Sequence, residues 1–246
     1  MNAFFHAIAF FTRIPVPWLR PSEAAWKKSV NWYPAVGVVI GLLLWGVHQA
    51  GVHLFSPWLA AILTLGAWVY VTGGLHLDGW MDLADGLGSS RPREQVLAIM
   101  KDSRVGAMGV IAAILLLLIK AGGVAELAHP GWGMFLLFVP FAARTHVLLS
   151  IRLWPYISAD KGIGKGISEG LSAFSIIVSY VLLLGAGWFF GSWQVVAAIV
   201  LSLVFALLFS RSVAKKLGGL NGDCYGAVIE SSEAVMLLVL VGSWWT

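Results

Sequence analysis

Apolar runs long enough to cross a bilayer alternate along this chain with short polar or Gly- and Pro-containing breaks. Seven stretches run near Val30–Gln49, Trp58–Leu75, Val105–Leu127, Trp132–Leu153, Leu171–Phe190, Trp193–Leu208 and Val228–Trp245. A spanning helix needs about 20 apolar residues. The pattern therefore predicts an all-α, polytopic membrane helix bundle of about seven transmembrane helices, the last carrying Glu230 and Glu233 in its first turns. Ahead of them, Met1 to Thr12 has neither a basic n-region nor an A-x-A cleavage site. It reads as a short interfacial helix rather than a signal peptide. No internal repeat or low-complexity tract interrupts the series, and a single integral-membrane domain over residues 1–246 is expected.

Composition supports the same reading. The chain is 59% hydrophobic and 11% charged, against about 25% charged residues in soluble domains, and its mean hydropathy is +0.85. Soluble, disordered and fibrous classes are excluded. The net charge of +4 does not imply nucleic acid, because cytoplasmic loops of membrane proteins collect Lys and Arg. The lone cysteine, Cys224, rules out an intrachain disulfide and a CxxC metal site.

The basic residues supply an orientation. Fourteen of sixteen fall before the first stretch or in the loops after the second, fourth and sixth. The alternate loops have none, and Lys120 and Arg144 lie within spans. The positive-inside rule then puts the N-terminus in the cytoplasm. Eleven of the twelve acids, all but Glu126, fall on the same face. Acids are not bound by that rule, so a cytoplasmic site is the expected cause.

The strongest local signal is GGLHLDGWMDLADGLGSSR, Gly73 to Arg91. Asp78, Asp82 and Asp85 are spaced i, i+4, i+7 and share one helix face, with neighbouring Cβ atoms roughly 5–6 Å apart. Interleaved Leu77, Trp80, Met81 and Leu83 argue against a freely solvated helix end. Like charges at a membrane border persist when a hard cation neutralises them, and an oxygen-only set suits Mg²⁺ or Mn²⁺. His76, two residues before Asp78, is a candidate base or orienter.

Three further clusters share that face. In IMKDSRVGAMG, Asp102 or Ser103 is either an N-cap or part of an anion site, with Lys101 and Arg104 adding charge for phosphate. In KLGGLNGDCYGAVIESSE, a Gly-rich turn presents Asp223 before the last span. In ADKGIGKG, glycines beside Lys161 and Lys165 form a weaker phosphate candidate. Arg13 is equally a lipid-facing anchor or a substrate contact. Arg144 is expected to line a cavity or pair with an acid, since buried arginines face bundle interiors. Acidic platform, basic partners and Gly-rich turns on one face fit phosphoryl or nucleotidyl transfer.

The segments TRIPVP (Thr12–Pro17), GGLHLDGWMDLADGL (Gly73–Leu87), MKDSRVGAMG (Met100–Gly109) and GGLNGDCYGAVIESSE (Gly218–Glu233) resemble the signature of the cobalamin synthase family, the adenosylcobinamide-GDP ribazoletransferases. Asn221 departs from the Thr the family commonly carries before Gly-Asp. The resemblance implies a multi-pass enzyme of the bacterial inner membrane that requires Mg²⁺. A ribose 3′-hydroxyl of α-ribazole, or of its 5′-phosphate, would attack the corrinoid-proximal phosphorus of adenosylcobinamide-GDP. Adenosylcobalamin, or its 5′-phosphate, and GMP would result.

On this reading Asp78, Asp82 and Asp85 hold Mg²⁺, with Asp223 and Asp102 completing one or two sites. Lys101 and Arg104 bind the diphosphate or the GMP leaving group. Arg13, Arg144, Lys165 and Asn221 are further substrate contacts. His76 or a spare carboxylate takes the hydroxyl proton. Expected partners are the two substrates and membrane lipid, with a homo-oligomer left open and no nucleic acid. A CDP-alcohol phosphotransferase is the nearest alternative, but Ser89-Ser90 stands where its Ala-Arg is needed and the downstream acids are missing. A cation-coupled transporter fits less well, because the acids crowd one face and no repeated halves are visible.

Overall fold

The computed structural model describes residues 2–18, 22–157 and 166–243. Twelve α-helices are named from these residues. They begin with α1 (Asn2–Phe11), α2 (Glu23–Ser29), α3 (Tyr33–Leu54), α4 (Pro57–Thr72), α5 (Leu75–Gly88) and α6 (Arg93–Ile99). They continue with α7 (Ala107–Glu126), α8 (Phe138–Leu153), α9 (Ile167–Gly170), α10 (Ala173–Ala186), α11 (Trp193–Leu217) and α12 (Gly222–Leu240). Among the described residues the only β pairing is an isolated parallel bridge between Tyr156 and Leu220.

The short N-terminal helix expected from the sequence is α1, which buries Ala7, Ile8 and Phe11 on one side. Ser22 caps α2, its Oγ accepting from the Ala25 N–H at 3.2 Å. A 3₁₀ turn then leads directly into α3.

Five helical stretches are long and apolar enough to cross a membrane: Glu23–Leu54, Ala107–Glu126, Gly133–Leu153, Ala173–Gly191 and Trp193–Leu217. The pair α4–α5 makes a sixth if counted as one span, although its halves meet at 91°. The structure thus gives five or six such helices among the described residues, where the sequence pattern suggested seven. The remaining expected span corresponds to α12, which starts at Gly222 rather than near Val228 and contains Asp223, Glu230 and Glu233. Those acids spoil its apolar character, yet α12 is largely buried in the bundle.

It packs against α5, α7, α8 and α11, and all its residues from Ala227 to Ala234 are buried. Meanwhile α3, α4, α7, α10 and α11 turn large apolar side chains outward, among them Leu42, Ile62, Leu118, Val181 and Leu208. Such a surface accords with helices long and apolar enough to cross a membrane.

The acids of α12 are neutralised from neighbouring helices. Lys120 Nζ, on α7, donates to Glu230 Oε2 at 2.8 Å and to Glu233 Oε2 at 2.5 Å. It also sits 4.0 Å from the ring centre of Trp68 on α4. Arg144 Nη1, on α8, donates to Glu233 Oε1. Two cations and two carboxylates therefore cancel in the interior, which is how ionisable groups persist at membrane depth. His146 is likewise satisfied, through Tyr180 and Ser202.

The α4–α5 corner fixes where the acidic segment lies. Gly73 and Gly74 both take left-handed backbone angles, with φ of 66° and 71°, a conformation glycine adopts without steric cost. The chain then swings away from the α4 axis, and α5 packs against α12 and α7. Gly79 lets the two meet: a Cβ there would stand 2.8 Å from both Cα and the carbonyl oxygen of Asp223. Backbone cannot step aside as a flexible side chain can. Gly79→Ala is expected to lower stability by about 1–3 kcal/mol, read as a lower thermal midpoint in detergent, and to reduce turnover by displacing Asp223.

Candidate active site

At the end of the bundle where α5 crosses α12, a cavity of about 290 Å³ is enclosed by several chain segments. Phe10 and Phe11 come from α1, Tyr33 from the start of α3, and His76 and Asp78 from α5. Lys101 reaches in from the loop after α6, and Asn221, Asp223 and Tyr225 from the start of α12. Val147 and Ile151 close the side formed by α8. The segment after α8 is pinned there by backbone: Leu220 N–H donates to Pro155 O at 2.9 Å, and Ile157 N–H to Leu220 O at 3.0 Å.

Five of the residues singled out from the sequence thus meet in one cavity: His76, Asp78, Lys101, Asn221 and Asp223. The turn carrying Asp223 is itself organised by Asn221, the N-cap of α12. Its Oδ1 accepts from the Cys224 N–H at 2.9 Å, and its Nδ2 donates to Asp223 Oδ2 at 2.9 Å. Both ends of this amide are therefore occupied.

The three aspartates of α5 have different surroundings. Asp78 faces the cavity, and among the described residues neither it nor Asp82 has an ion pair or hydrogen bond through its side chain. Burial first, then the charges of Asp78, Asp223 and Asp85, raise the Asp82 carboxyl to about 6. Asp85 is turned the other way: its Oδ2 accepts from the Gly106 N–H and its Oδ1 from the Gly109 N–H, both at 2.7 Å. It caps α7 from a neighbouring helix, and opposes the positive end of that helix's dipole. Among the described residues, no group of three or more His, Cys, Asp or Glu side chains is gathered as a metal-ligand set. The shared helix face does not become a three-carboxylate grip, because α7 claims Asp85.

That arrangement also removes the N-cap reading of Asp102 and Ser103. The N-cap position of α7 is Gly106, which has no side chain to offer. Asp102 instead pairs with Arg104, whose Nη2 donates to Asp102 Oδ2 at 2.6 Å. The guanidinium beside it holds the Asp102 carboxyl down at about 2. Neither residue lines the cavity, and Arg104 is highly exposed.

Arg144 belongs to the buried charge set rather than to the cavity wall, the acid-paired alternative of the two expected. Its Nη2 lies 3.4 Å from His76 Nδ1, so it touches the site through that ring. Arg13 lies away from the cavity, 5.6 Å from the Tyr70 ring centre in a groove on α4. Lys161 and Lys165 fall outside the described residues.

What sequence reading missed is the aromatic wall. Phe11 and Tyr33 rings meet edge to face at 4.4 Å, and Tyr156 lies over Tyr225 at 6.3 Å and 24°. Nothing in local spacing joins residues so far apart in the chain. The acid partners of Lys120 and Arg144 did have a signal: two cations within spans demand two carboxylates at similar depth, and Glu230 and Glu233 are the acids of the last one.

The chain matches the family model described as cobalamin-5-phosphate synthase over residues 3–241. It is 84% identical over 245 residues to the adenosylcobinamide-GDP ribazoletransferase of Brevibacillus brevis, covering 100% of both chains. Proteins of the same name are 37% identical in Desulfitobacterium hafniense (97% of this chain, 96% of the other) and 39% identical in Pseudomonas paraeruginosa (95% of each). No solved structure matches it.

Proposed function

The chain belongs to the cobalamin-5-phosphate synthase family, and from that premise we propose that it is an adenosylcobinamide-GDP ribazoletransferase. It joins α-ribazole, or its 5′-phosphate, to adenosylcobinamide-GDP, giving adenosylcobalamin, or its 5′-phosphate, and GMP. The observation that carries the chemistry is the meeting of Asp78, Asp223, Lys101 and His76 in one cavity, with Asp82 beside them and, among the described residues, without an ion pair of its own.

A donor set made only of carboxylate oxygens, two of them unpaired, fits Mg²⁺, which takes one or two carboxylates and fills its other positions with water and substrate phosphate. Asp78 and Asp82 would hold it. A bound Mg²⁺ supplies charge neutralisation at the diphosphate and at the departing phosphate.

The chain's own groups do the rest. Lys101 attracts the diphosphate. Asp223, held by Asn221 through Oδ2, keeps Oδ1 free to accept the proton of the attacking 3′-hydroxyl. The ribose oxygen bonds to the corrinoid-proximal phosphorus as its bond to the bridging oxygen breaks, and GMP leaves with that bonding pair. Asp85 positions α5 against α7 and takes no part in the exchange. The one-sided distribution of Lys and Arg supports an inner-membrane protein with its N-terminus and this cavity facing the cytoplasm, where nucleotides are found.

Purified protein supplied with adenosylcobinamide-GDP, α-ribazole and Mg²⁺ is expected to release GMP and adenosylcobalamin in equal amounts. Absence of both overturns the reading. The pH dependence has a definite sign. Because the free Asp82 carboxyl keeps its proton up to about pH 6, and a cation requires the carboxylate, acid weakens binding. The Mg²⁺ concentration giving half-maximal rate should rise about tenfold per pH unit below 6 and level off near neutrality. A flat profile from pH 5 to 7 removes Asp82 from the ligands.

A further inference from the structure

Resting on the transferase reading above, we infer that this cavity is the pocket of the nucleoside acceptor, with the benzimidazole base seated among its aromatic walls and the corrin macrocycle remaining outside. Size comes first. Pockets for drug-sized ligands begin at about 300 Å³, so about 290 Å³ suits one nucleoside. A corrinoid with its attached nucleotide has several times as many atoms.

The wall chemistry selects the same occupant. Phe10, Phe11, Val147, Ile151, Ile167 and Ile229 make most of the lining apolar. A dimethylbenzimidazole has C–H and methyl edges and one in-plane acceptor, the ring nitrogen not bonded to ribose. Guanine, the other base in the reaction, carries donors and acceptors along a whole edge. The amide best suited to read such an edge, that of Asn221, is already bonded at both ends.

One unpartnered donor awaits that single acceptor, and a tyrosine hydroxyl lies within the same wall. His76 is 4% exposed, lines the cavity, and its Nε2 has no hydrogen-bond partner among the described residues. Its Nδ1 faces Arg144, whose guanidinium has only donors, so Nδ1 is the lone-pair nitrogen and Nε2 carries the proton. Arg144 is thereby a positioning residue for a hydrogen-bond donor, and His76 acts as that donor rather than as the base. Tyr33 is 3% exposed and lines the same cavity, with its hydroxyl beside that of Ser29. Buried polar groups are rarely left unsatisfied. The His76 Nε2–H is completed by the acceptor nucleoside.

The test uses full-length protein in detergent and measures KM for each substrate separately. Ile151→Trp shrinks the cavity and is expected to raise KM for α-ribazole at least tenfold, with KM for adenosylcobinamide-GDP unchanged within twofold. Tyr33→Phe, which keeps the wall and removes only the hydroxyl, should raise KM for α-ribazole about three- to tenfold. An increase confined to adenosylcobinamide-GDP, an equal increase for both, or no change in either overturns the assignment. If wild-type protein releases no GMP from the two substrates, the transferase reading itself fails, a result distinct from any KM pattern among active variants.

Discussion

Asp78→Asn protein is expected to insert and fold normally yet turn over about 10²–10³-fold more slowly at saturating substrates. Asp78 has no side-chain partner to lose among the described residues, so replacing an oxygen by an amide nitrogen leaves packing intact while removing a negative charge from the cavity. Circular dichroism and thermal melting should match wild type, and raising Mg²⁺ should recover only part of the rate. Asp85→Asn supplies the contrast. Its carboxylate bonds the Gly106 and Gly109 N–H groups, so loss of one acceptor and of the charge opposing the α7 dipole should cost about 1–2 kcal/mol of stability. A full-rate Asp78→Asn enzyme would end the proposal that this residue holds the ion.

Lys120→Met is expected to be the most damaging single change to folding. It leaves Glu230 and Glu233 facing only Arg144 in the bundle interior, and removing one partner of a buried ion set costs about 3–5 kcal/mol. Folded yield in membranes should collapse, measured by monodisperse protein after extraction. Neutrality can be restored: Lys120→Met with Glu230→Gln again has one cation and one carboxylate, and should recover much of the yield. If the double variant is as poor as the single, lost packing of the Lys stem against Trp68, rather than uncompensated charge, governs the site.

Helix content and the five apolar crossings were legible because an amino acid pattern facing lipid has one requirement, hydrophobicity over some 20 residues. α12 was harder to place for the same reason: it faces protein, and its acids are matched by Lys120 and Arg144 from elsewhere in the chain. The acidic segment announced itself through its spacing, and so did the turn at Asp223. Their assembly with Lys101 into one cavity needs the Gly73–Gly74 corner and the close pass at Gly79, neither of which a helical periodicity reveals. Spacing also overstated what α5 could do, since it cannot show that Asp85 is taken by α7. Arg104 and Asp102, neighbours in sequence, simply satisfy each other at the surface.

The position of α12 has a consequence for biosynthesis. Helices α7 and α8 emerge from the ribosome, and enter the bilayer, about a hundred residues before the carboxylates that neutralise Lys120 and Arg144 exist. Until α12 threads between them, the growing chain holds two unmatched cations in a medium that tolerates neither. A nascent protein stalled short of Glu233 should therefore be held by insertion factors or degraded, and commitment to the native state waits for α12.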